Sequence, residues 1–98
     1  MTELKGKQLR YLRGLGHHLQ PVVMIGKEEL SEKVISATDV ALEKHELIKV
    51  KLQEGCMLDR RETAAELARL TASAVAQVLG KTFLLYRRGK KPVIVLPA

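Results

Sequence analysis

The sequence predicts a single small α/β domain over residues 1–98, with the element order α-β-α-β-α-β-β and a four-stranded mixed sheet. Three observations predict this class. The run Val22–Ile25 is apolar and uncharged and stops at Gly26, which is typical of a short strand buried on both faces. Residues Leu47–Leu52 alternate apolar and basic side chains, as a half-buried strand does. Amphipathic helical patterns lie between the predicted strands.

Two helices are predicted on either side of the first strand. Residues 4–16 form the first, because leucines line one side and three bases recur at i, i+3 spacing on another, namely Lys7, Arg10 and Arg13. Pro21 closes the connection to the strand. The second helix is expected from about Leu30 to Lys44, where apolar residues return at helical spacing. The strand Leu47–Leu52 follows, with its lysines on the side opposite its inward-facing residues.

The second half of the chain predicts one helix and two strands. Asp59 and Glu62 resemble a capping box and mark the start of the helix. Its end is left open, since Ala74–Leu79 could extend the helix or form an irregular link to Gly80. Thr82–Arg88 is predicted as the third strand and Val93–Leu96 as the fourth, joined by a tight turn at Arg88-Gly89-Lys90-Lys91. The last two strands should be antiparallel and the β-α-β crossovers right-handed.

Positive charge is concentrated at the two ends of the chain. The formal net charge is +6, of which residues 1–20 contribute +3, residues 21–80 contribute −2 and residues 81–98 contribute +5. If the fold brings the ends together, they form one basic face, which is the usual footprint of a polyanion partner. The alternative is a basic protein whose charges are merely solvated.

Several classes of function are unsupported by the sequence. No apolar run approaches the roughly 18–20 residues of a membrane span, and the N-terminus has no apolar signal-peptide core. The single cysteine, Cys56, fits a reducing cytoplasm. His17-His18 and His45-Glu46 lack the spacing of metal ligands. We therefore expect a cytoplasmic protein with no catalytic residues, no metal, no cofactor and no small-molecule substrate.

The turn Gly26-Lys27-Glu28-Glu29 is the sharpest candidate site. Glycine permits close approach of the backbone, Lys27 can reach a phosphate, and a helix N-terminus offers free N–H groups. The alternative is a plain strand-to-helix turn with acids favoured by the helix dipole. A second basic turn is Gly80-Lys81-Thr82. It imitates the tail of a P-loop but lacks the preceding glycine, so we expect no nucleotide site there, while Lys81 could still meet a polyanion.

A further cluster of bases follows the predicted third strand, namely Arg87, Arg88, Lys90 and Lys91. These residues could contact phosphates, or they could protect an edge hairpin against aggregation. The basic first helix favours the phosphate interpretation, because both features then serve one partner.

Four segments of the chain form a specific pattern when they are taken together: KGKQLRYLRGLGHHLQPVVMIGKEELSEKV, HELIKVKL, VLGKTFLLYRR and a final VIVLP. This pattern resembles the bacterial YhbY family of stand-alone CRM (chloroplast RNA splicing and ribosome maturation) domains. The resemblance implies an αβαβαββ fold similar to the C-terminal domain of bacterial translation initiation factor three. It also implies RNA binding, association with precursors of the large ribosomal subunit, and no enzymatic activity. Members carry a GxxG loop, in which Gly26 matches the first glycine and Glu29 stands at the second.

The leading hypothesis is an RNA-binding accessory factor in ribosome assembly that binds ribosomal RNA mainly through phosphates. The residues expected to bind RNA are Lys7, Arg10, Arg13, Gly26, Lys27, Lys81, Arg87, Arg88, Lys90 and Lys91. With three aromatic residues in the chain, base stacking should contribute little. The alternative is a protein-interaction module that docks on ribosomal or assembly-factor surfaces. A DNA-binding protein is a weaker alternative, because no recognition helix stands out.

Overall fold

Two helices cover one face of a four-stranded sheet, and a third helix packs on the opposite face. The computed structural model describes residues 4–98, so residues 1–3 of the predicted domain lie outside the described residues. The elements in chain order are α1 (Gly6–Gly16), β1 (Pro21–Ile25), α2 (Glu32–His45), β2 (Leu47–Leu52), α3 (Arg60–Leu70), β3 (Ala74–Leu79) and β4 (Thr82–Tyr86). The predicted fold class and element order are confirmed.

The strands lie in the order β1-β2-β4-β3, so β1 and β3 are the edges of the sheet. β1 pairs with β2 in parallel, and β4 pairs antiparallel with both β2 and β3. The sheet is therefore mixed, as predicted. The carboxyl ends of β1 and β2 and the β3–β4 turn meet at one end of it, while Tyr86, the last residue of β4, pairs with Leu47 at the other end.

Apolar side chains form one cluster on each face of the sheet. The larger cluster lies under α2 and α3 and includes Ile48, Val50 and Leu52 of β2, which confirms the predicted inward side of that strand. The smaller cluster lies under α1 and consists of the buried residues Leu12, Leu47, Ala76, Leu84 and Tyr86, with residues of the C-terminal tail packed against it. The tail therefore belongs to the α1 side of the fold.

Side-chain caps set the starts of two helices. Ser31 accepts the N–H of Val34 at 3.3 Å, so α2 begins at Glu32 rather than near Leu30. Asp59 accepts the N–H of Glu62 at 2.9 Å, which confirms the predicted start of α3. These bonds satisfy N–H groups that have no partner within the helix.

The fourth predicted strand, Val93–Leu96, is wrong, whereas the predicted strand Thr82–Arg88 is present as Thr82–Tyr86. Ala74–Leu79 is the third strand, neither a helical extension nor an irregular link, and Thr82–Tyr86 is the fourth. They are joined at Gly80-Lys81, where Gly80 has φ +59, rather than at Arg88–Lys91. Two-residue turns that join antiparallel strands require such positive φ values, which glycine adopts without strain.

The segment Val93–Leu96 is irregular, and the strand that precedes it, β4, has no free edge with which it could pair. β4 lies between β2 and β3, so both of its edges are already paired. The N–H groups of Val93 and Ile94, which a strand ladder would need, instead donate to the carboxylate of Glu46 at 2.9 Å each. Pro92 has no N–H to contribute. The tail is thus held by side chains and not by a strand ladder: Glu46 holds its start, and the amide of Gln8 in α1 donates to the carbonyl of Pro97 at 3.1 Å.

The position of α1 depends on Gly16. A β-carbon added at Gly16 would overlap the Cδ1 methyl of Leu84, so the end of the helix lies directly on β4. Leu12, one turn earlier, is fully buried. This contact holds the opposite side of α1, with its three bases, towards solvent.

Candidate nucleic-acid interface

The turn after β1 closes through a hydrogen bond from the N–H of Glu29 to the carbonyl of Gly26, at 3.0 Å. Glu29, not Gly26, adopts the left-handed backbone, with φ +58. That conformation costs a residue with a β-carbon roughly 1–2 kcal/mol. Glu29 thus has the backbone conformation that glycine adopts most readily, although it carries a β-carbon. Because Ser31 caps α2, the turn precedes the helix and is not part of its first turn.

Lys27 lies beside the loop that follows β2. Its Cε atom is 3.4 Å from the position that a β-carbon on Gly55 would occupy. On the other side of β2, the carbonyl of Lys81 accepts the N–H of Leu52 at 2.7 Å. The carbonyl of Ile25, two residues before Lys27, accepts the N–H of Gln53 at 2.9 Å, so the backbones that flank the end of β2 are roughly 10 Å apart, twice the spacing of neighbouring strands. The structure brings these two predicted residues to the same end of the sheet.

Two further bases join them. Lys51 of β2 is exposed and pairs in register with Met24 and Thr82. Arg60, also exposed, donates to the carbonyl of Gly80 at 3.0 Å. We refer to Lys27, Lys51, Arg60 and Lys81 as the turn cluster. No ion pair neutralises any of them within residues 4–98, so the four charges are available to phosphate groups.

A group of acidic residues at this end lies on the side of α2 and α3. An open groove there is lined by carboxylates from the turn after β1 and the start of α3, namely Glu28, Glu29, Asp59, Glu62 and Glu66. The ion pair with Arg69 lowers the pKa of Glu66. The end of the sheet is therefore divided into a basic part around the turn cluster and an acidic part beside α3.

The remaining predicted bases follow β4 at the opposite end of the sheet. β4 separates Lys81 from Arg87 by about 20 Å along the strand. Arg88, Lys90 and Lys91 are exposed in the loop that begins there, which we call the tail loop. The prediction that Arg87, Arg88, Lys90 and Lys91 surround a hairpin turn is wrong, because the hairpin turn is at Gly80-Lys81.

Glu46 organises the tail loop. It is only 3% exposed, and its carboxylate accepts the N–H of Gly89 at 2.5 Å in addition to those of Val93 and Ile94. Its own carbonyl accepts the N–H of Arg87 at 2.8 Å. Burial alone would raise the pKa of Glu46, but the three N–H donors and the charge of Arg88 outweigh it and lower the pKa.

Arg87 differs from the other predicted residues. Its side chain is 19% exposed and pairs with Asp39 of α2 at 2.6 Å. The same guanidinium donates to the carbonyl of Thr71 at 2.8 Å and lies 3.4 Å from the carboxylate of Glu43. These contacts link β4 to α2 and to the end of α3. The charge of Arg87 is thus already paired within the fold.

The three bases of α1 are all exposed and stand on the α1 side of the sheet, namely Lys7, Arg10 and Arg13. None of the ion pairs found in residues 4–98 includes them. The predicted site residues therefore form three groups: the helix α1, the turn after β1 together with Lys81, and the tail loop. They do not form one continuous cluster along a hairpin.

Sequence reasoning missed Lys51, Arg60 and Glu46 as site residues. The alternation of β2 already placed Lys51 on the outer face, but nothing in the sequence located the end of that strand beside Lys81. Arg60 was recognisable only as the residue after a helix cap. Glu46 is an acid between a helix and a strand, and its role depends on backbone groups more than 40 residues away.

The part of the chain that the structure describes contains no group of three His, Cys, Asp or Glu side chains that could hold a metal ion. None of the helices within residues 4–98 is both long and apolar enough to cross a membrane. Cys56 is half-buried and packs against the cluster under α2 and α3. The exposed and unpaired bases are the main chemical feature of the surface.

Comparison with known proteins agrees with this geometry. The family model of the CRS1 / YhbY (CRM) domain matches residues 4–87. A Haemophilus influenzae protein named "RNA-binding protein" is 40% identical over 97 residues, covering 99% of this chain and 98% of that protein. The Bacillus subtilis "Probable RNA-binding protein YqeI" is 38% identical, covering 90% and 92%. The solution structure of SAV1595 from Staphylococcus aureus superposes with a TM-score of 0.83 at 41% identity, covering 97% of this chain and all of that one.

Proposed function

Because the chain belongs to the CRS1 / YhbY (CRM) domain family, we propose that it is an RNA-binding accessory factor of ribosome assembly. Its partners are ribosomal RNA and precursors of the large ribosomal subunit, and it acts in the cytoplasm. The names of two relatives support RNA binding, and the resemblance to the YhbY family supports the link to the large subunit. The proposal includes no catalytic step, cofactor or metal.

The turn cluster is the observation that carries this proposal. Four exposed cations, from two turns, a strand and a helix, lie at one end of the sheet without an ion-pair partner among residues 4–98. Isolated charges with a purely structural role are normally paired or scattered, whereas a polyanion gains from several cations at once. Lys27, Lys51, Arg60 and Lys81 therefore contact successive phosphates, with the backbone of Gly26 beside them.

The other two basic groups extend the contact. Lys7, Arg10 and Arg13 supply charge from α1, and Arg88, Lys90 and Lys91 supply it from the tail loop. Arg87 acts differently in this proposal: its guanidinium is paired with Asp39, so it positions the tail loop instead of binding a phosphate. An interface of this kind depends strongly on salt and weakly on base sequence.

Sedimentation of the tagged protein through a ribosome gradient tests the function. We expect it to travel with precursors of the large subunit at low salt, and to be released by moderate salt or by RNase, because counterions and loss of RNA both remove phosphate contacts. Protein that stays at the top of the gradient at low salt would overturn the proposal.

The alternative function is a module that docks on ribosomal or assembly-factor proteins. The acidic groove between Glu28 and Glu66 is the observation that favours it, because a basic protein surface would complement it. The same gradient separates the two functions. Association that survives RNase and depends on these carboxylates would assign the protein to this class.

A further inference from the structure

The face of the sheet that carries α1 is only partly covered. The buried cluster under α1 takes its strand residues from β2, β3 and β4 and none from β1. Val22 and Met24 of β1 are consequently 52% and 50% exposed. Met24 pairs in register with Lys51, so both side chains leave the sheet on this open side. Two apolar side chains thus remain in solvent beside an unpaired lysine.

We refer to the exposed side chains of Val22 and Met24 as the open strip. A groove of about 400 Å³ continues the open strip towards α1. Leu15 and Leu19 form one wall, and Val22 and Leu47 contribute apolar surface opposite. Lys49 and the polar side chains of Gln20 and His45 also line it. An apolar groove of this size with a few polar groups is the usual form of a site for a small flat molecule.

The charge around the groove has one sign. No carboxylate is among the side chains that line it, and Lys49 is followed on the same face of β2 by Lys51. The side chains of Lys49 and Lys51 start about 6.6 Å apart along β2. That separation is comparable with the distance between successive phosphates of an extended nucleic-acid strand. The groove therefore complements a partner with an apolar face and regularly spaced negative charges.

We propose that this groove binds an unpaired nucleobase of an RNA strand whose phosphates contact Lys49 and Lys51. The base lies on Val22, Leu15 and Leu19, with Met24 supporting a neighbouring base, and the amide of Gln20 can hydrogen-bond to a base edge. Base faces are hidden in a duplex, so only a single-stranded or looped segment fits. This inference rests on the proposed function, which it deepens by naming the form of RNA that is bound.

The consequence is a preference for unpaired RNA. Contact with aliphatic side chains contributes less binding free energy per nucleobase than stacking on an aromatic side chain. We therefore expect a modest preference for unpaired RNA and little selectivity among the four nucleobases. Phosphate contacts at the turn cluster would serve single-stranded and duplex RNA alike. The two parts of the interface are therefore separable by experiment.

The test compares two double variants of the full chain. Val22→Thr/Met24→Gln keeps side-chain size and charge but makes the open strip polar. The matched control, Val40→Thr/Leu70→Gln, makes the same kinds of change at residues that are 63% and 41% exposed on α2 and α3. Fluorescence anisotropy measures the affinity of each protein for an oligouridylate and for a duplex RNA of the same length.

We expect the groove variant to bind the oligouridylate about fivefold more weakly, with an unchanged salt slope because no charge is altered. Its duplex affinity, and both affinities of the control variant, should not change. In the unsubstituted protein, the ε-methyl NMR signal of Met24 should shift on addition of the oligouridylate, and this readout does not depend on the folding of a variant.

Three results would overturn the inference: an unchanged affinity for the oligouridylate, an equal loss for both RNAs, or a Met24 signal that does not move. Light scattering adds a fourth, a dimer that Val22→Thr/Met24→Gln converts to a monomer, which would make the strip an interface between two copies. Failure of the unsubstituted protein to bind either RNA at low salt is a distinct result, because it would overturn the proposed function as well.

Discussion

The carboxylate of Glu46 lies 2.5 Å from the backbone nitrogen of Gly89, 43 residues further along the chain. The same carboxylate accepts the N–H groups of Val93 and Ile94. One buried acid thus ties the end of α2 to the loop that carries Arg88, Lys90 and Lys91. The negative charge of Glu46 is stabilised by backbone N–H groups inside the fold and does not repel a phosphate at the surface.

Glu46→Gln should destabilise the protein by about 3 kcal/mol, because hydrogen bonds to a charged acceptor are lost and an amide NH₂ faces backbone donors. Urea denaturation measures the free energy of unfolding. Glu43→Gln on the same helix is the control: the Glu43 side chain is 65% exposed, so its substitution should change stability by no more than about 0.5 kcal/mol. Equal effects of the two substitutions would contradict the role assigned to Glu46.

The stability that Glu46 contributes should also depend on pH. Its pKa in the folded protein lies below the usual value of 4.5, so the unfolded chain takes up the proton first as pH falls. The stabilisation by Glu46 is complete above the usual pKa of 4.5 and is lost as the pH falls through the lower pKa of the folded protein. Urea denaturation at neutral pH, about pH 5 and about pH 3 should therefore give a constant stability difference from Glu46→Gln at the first two and a smaller one at the third. A difference that grows in acid would show that the pKa is raised.

Two glycines of α1 should respond oppositely to alanine. Gly16→Ala places a methyl group against Leu84 in the buried cluster and should cost about 1–3 kcal/mol. A β-carbon at Gly14 meets no atom within 4 Å, so Gly14→Ala should stabilise the helix by up to about 1 kcal/mol. Thermal denaturation of both variants checks this. Similar shifts in one direction would show that α1 does not pack on β4 through Gly16.

The left-handed backbone at Glu29 predicts a gain from glycine. Glu29→Gly and Glu29→Ala both remove the charge, but only glycine relieves the strain at φ +58. The glycine variant should be about 1 kcal/mol more stable than the alanine variant by chemical denaturation. If alanine is as stable as glycine, the turn does not hold this conformation in solution.

Charge removal at the turn cluster should change the salt dependence of RNA binding. Lys27→Gln/Lys81→Gln should weaken binding of all RNAs, and the slope of log K against log salt should become shallower by about 1.5. Lys33→Gln/Lys44→Gln removes two exposed charges from α2 and serves as the control, with both quantities unchanged. Loss of affinity for one RNA sequence only would contradict binding through phosphates.

The sequence predicted the fold well where local signals were complete. Apolar runs, alternation and the Asp59 cap located six of the seven elements, and only β3 was not predicted as a strand. The end of α3 was obscure because Ala72, with φ +52, stands where a glycine usually ends a helix, and the N–H of Ser73 returns to the carbonyl of Ala68. Without that glycine signal, the small residues of β3 read as a possible continuation of the helix, so Thr82–Arg88 was counted as the third strand and the fourth was predicted at Val93–Leu96.

The candidate site was predictable in kind but not in arrangement. Clustered bases and the glycine turn are visible in the sequence, so Lys27 and Lys81 were identified. Whether a basic side chain is free or forms an ion pair depends on tertiary contacts. Arg87 illustrates this, because its ion-pair partner Asp39 is 48 residues away. The prediction that the strand Val22–Ile25 is buried on both faces is wrong, because α1 leaves β1 uncovered and Val22 and Met24 exposed.

The position of β4 between β2 and β3 has a consequence for how the protein forms. β4 is the last strand in the sequence but an interior strand of the sheet. β2 and β3 form no hydrogen bonds with each other and are connected only through Thr82–Tyr86. During synthesis, the half of the sheet made by β1 and β2 can pair early, but the edge of β2 stays open until the C-terminal segment has emerged. Folding should therefore be completed only after β4 has been synthesised, and a chain truncated before β4 should lack a cooperative fold.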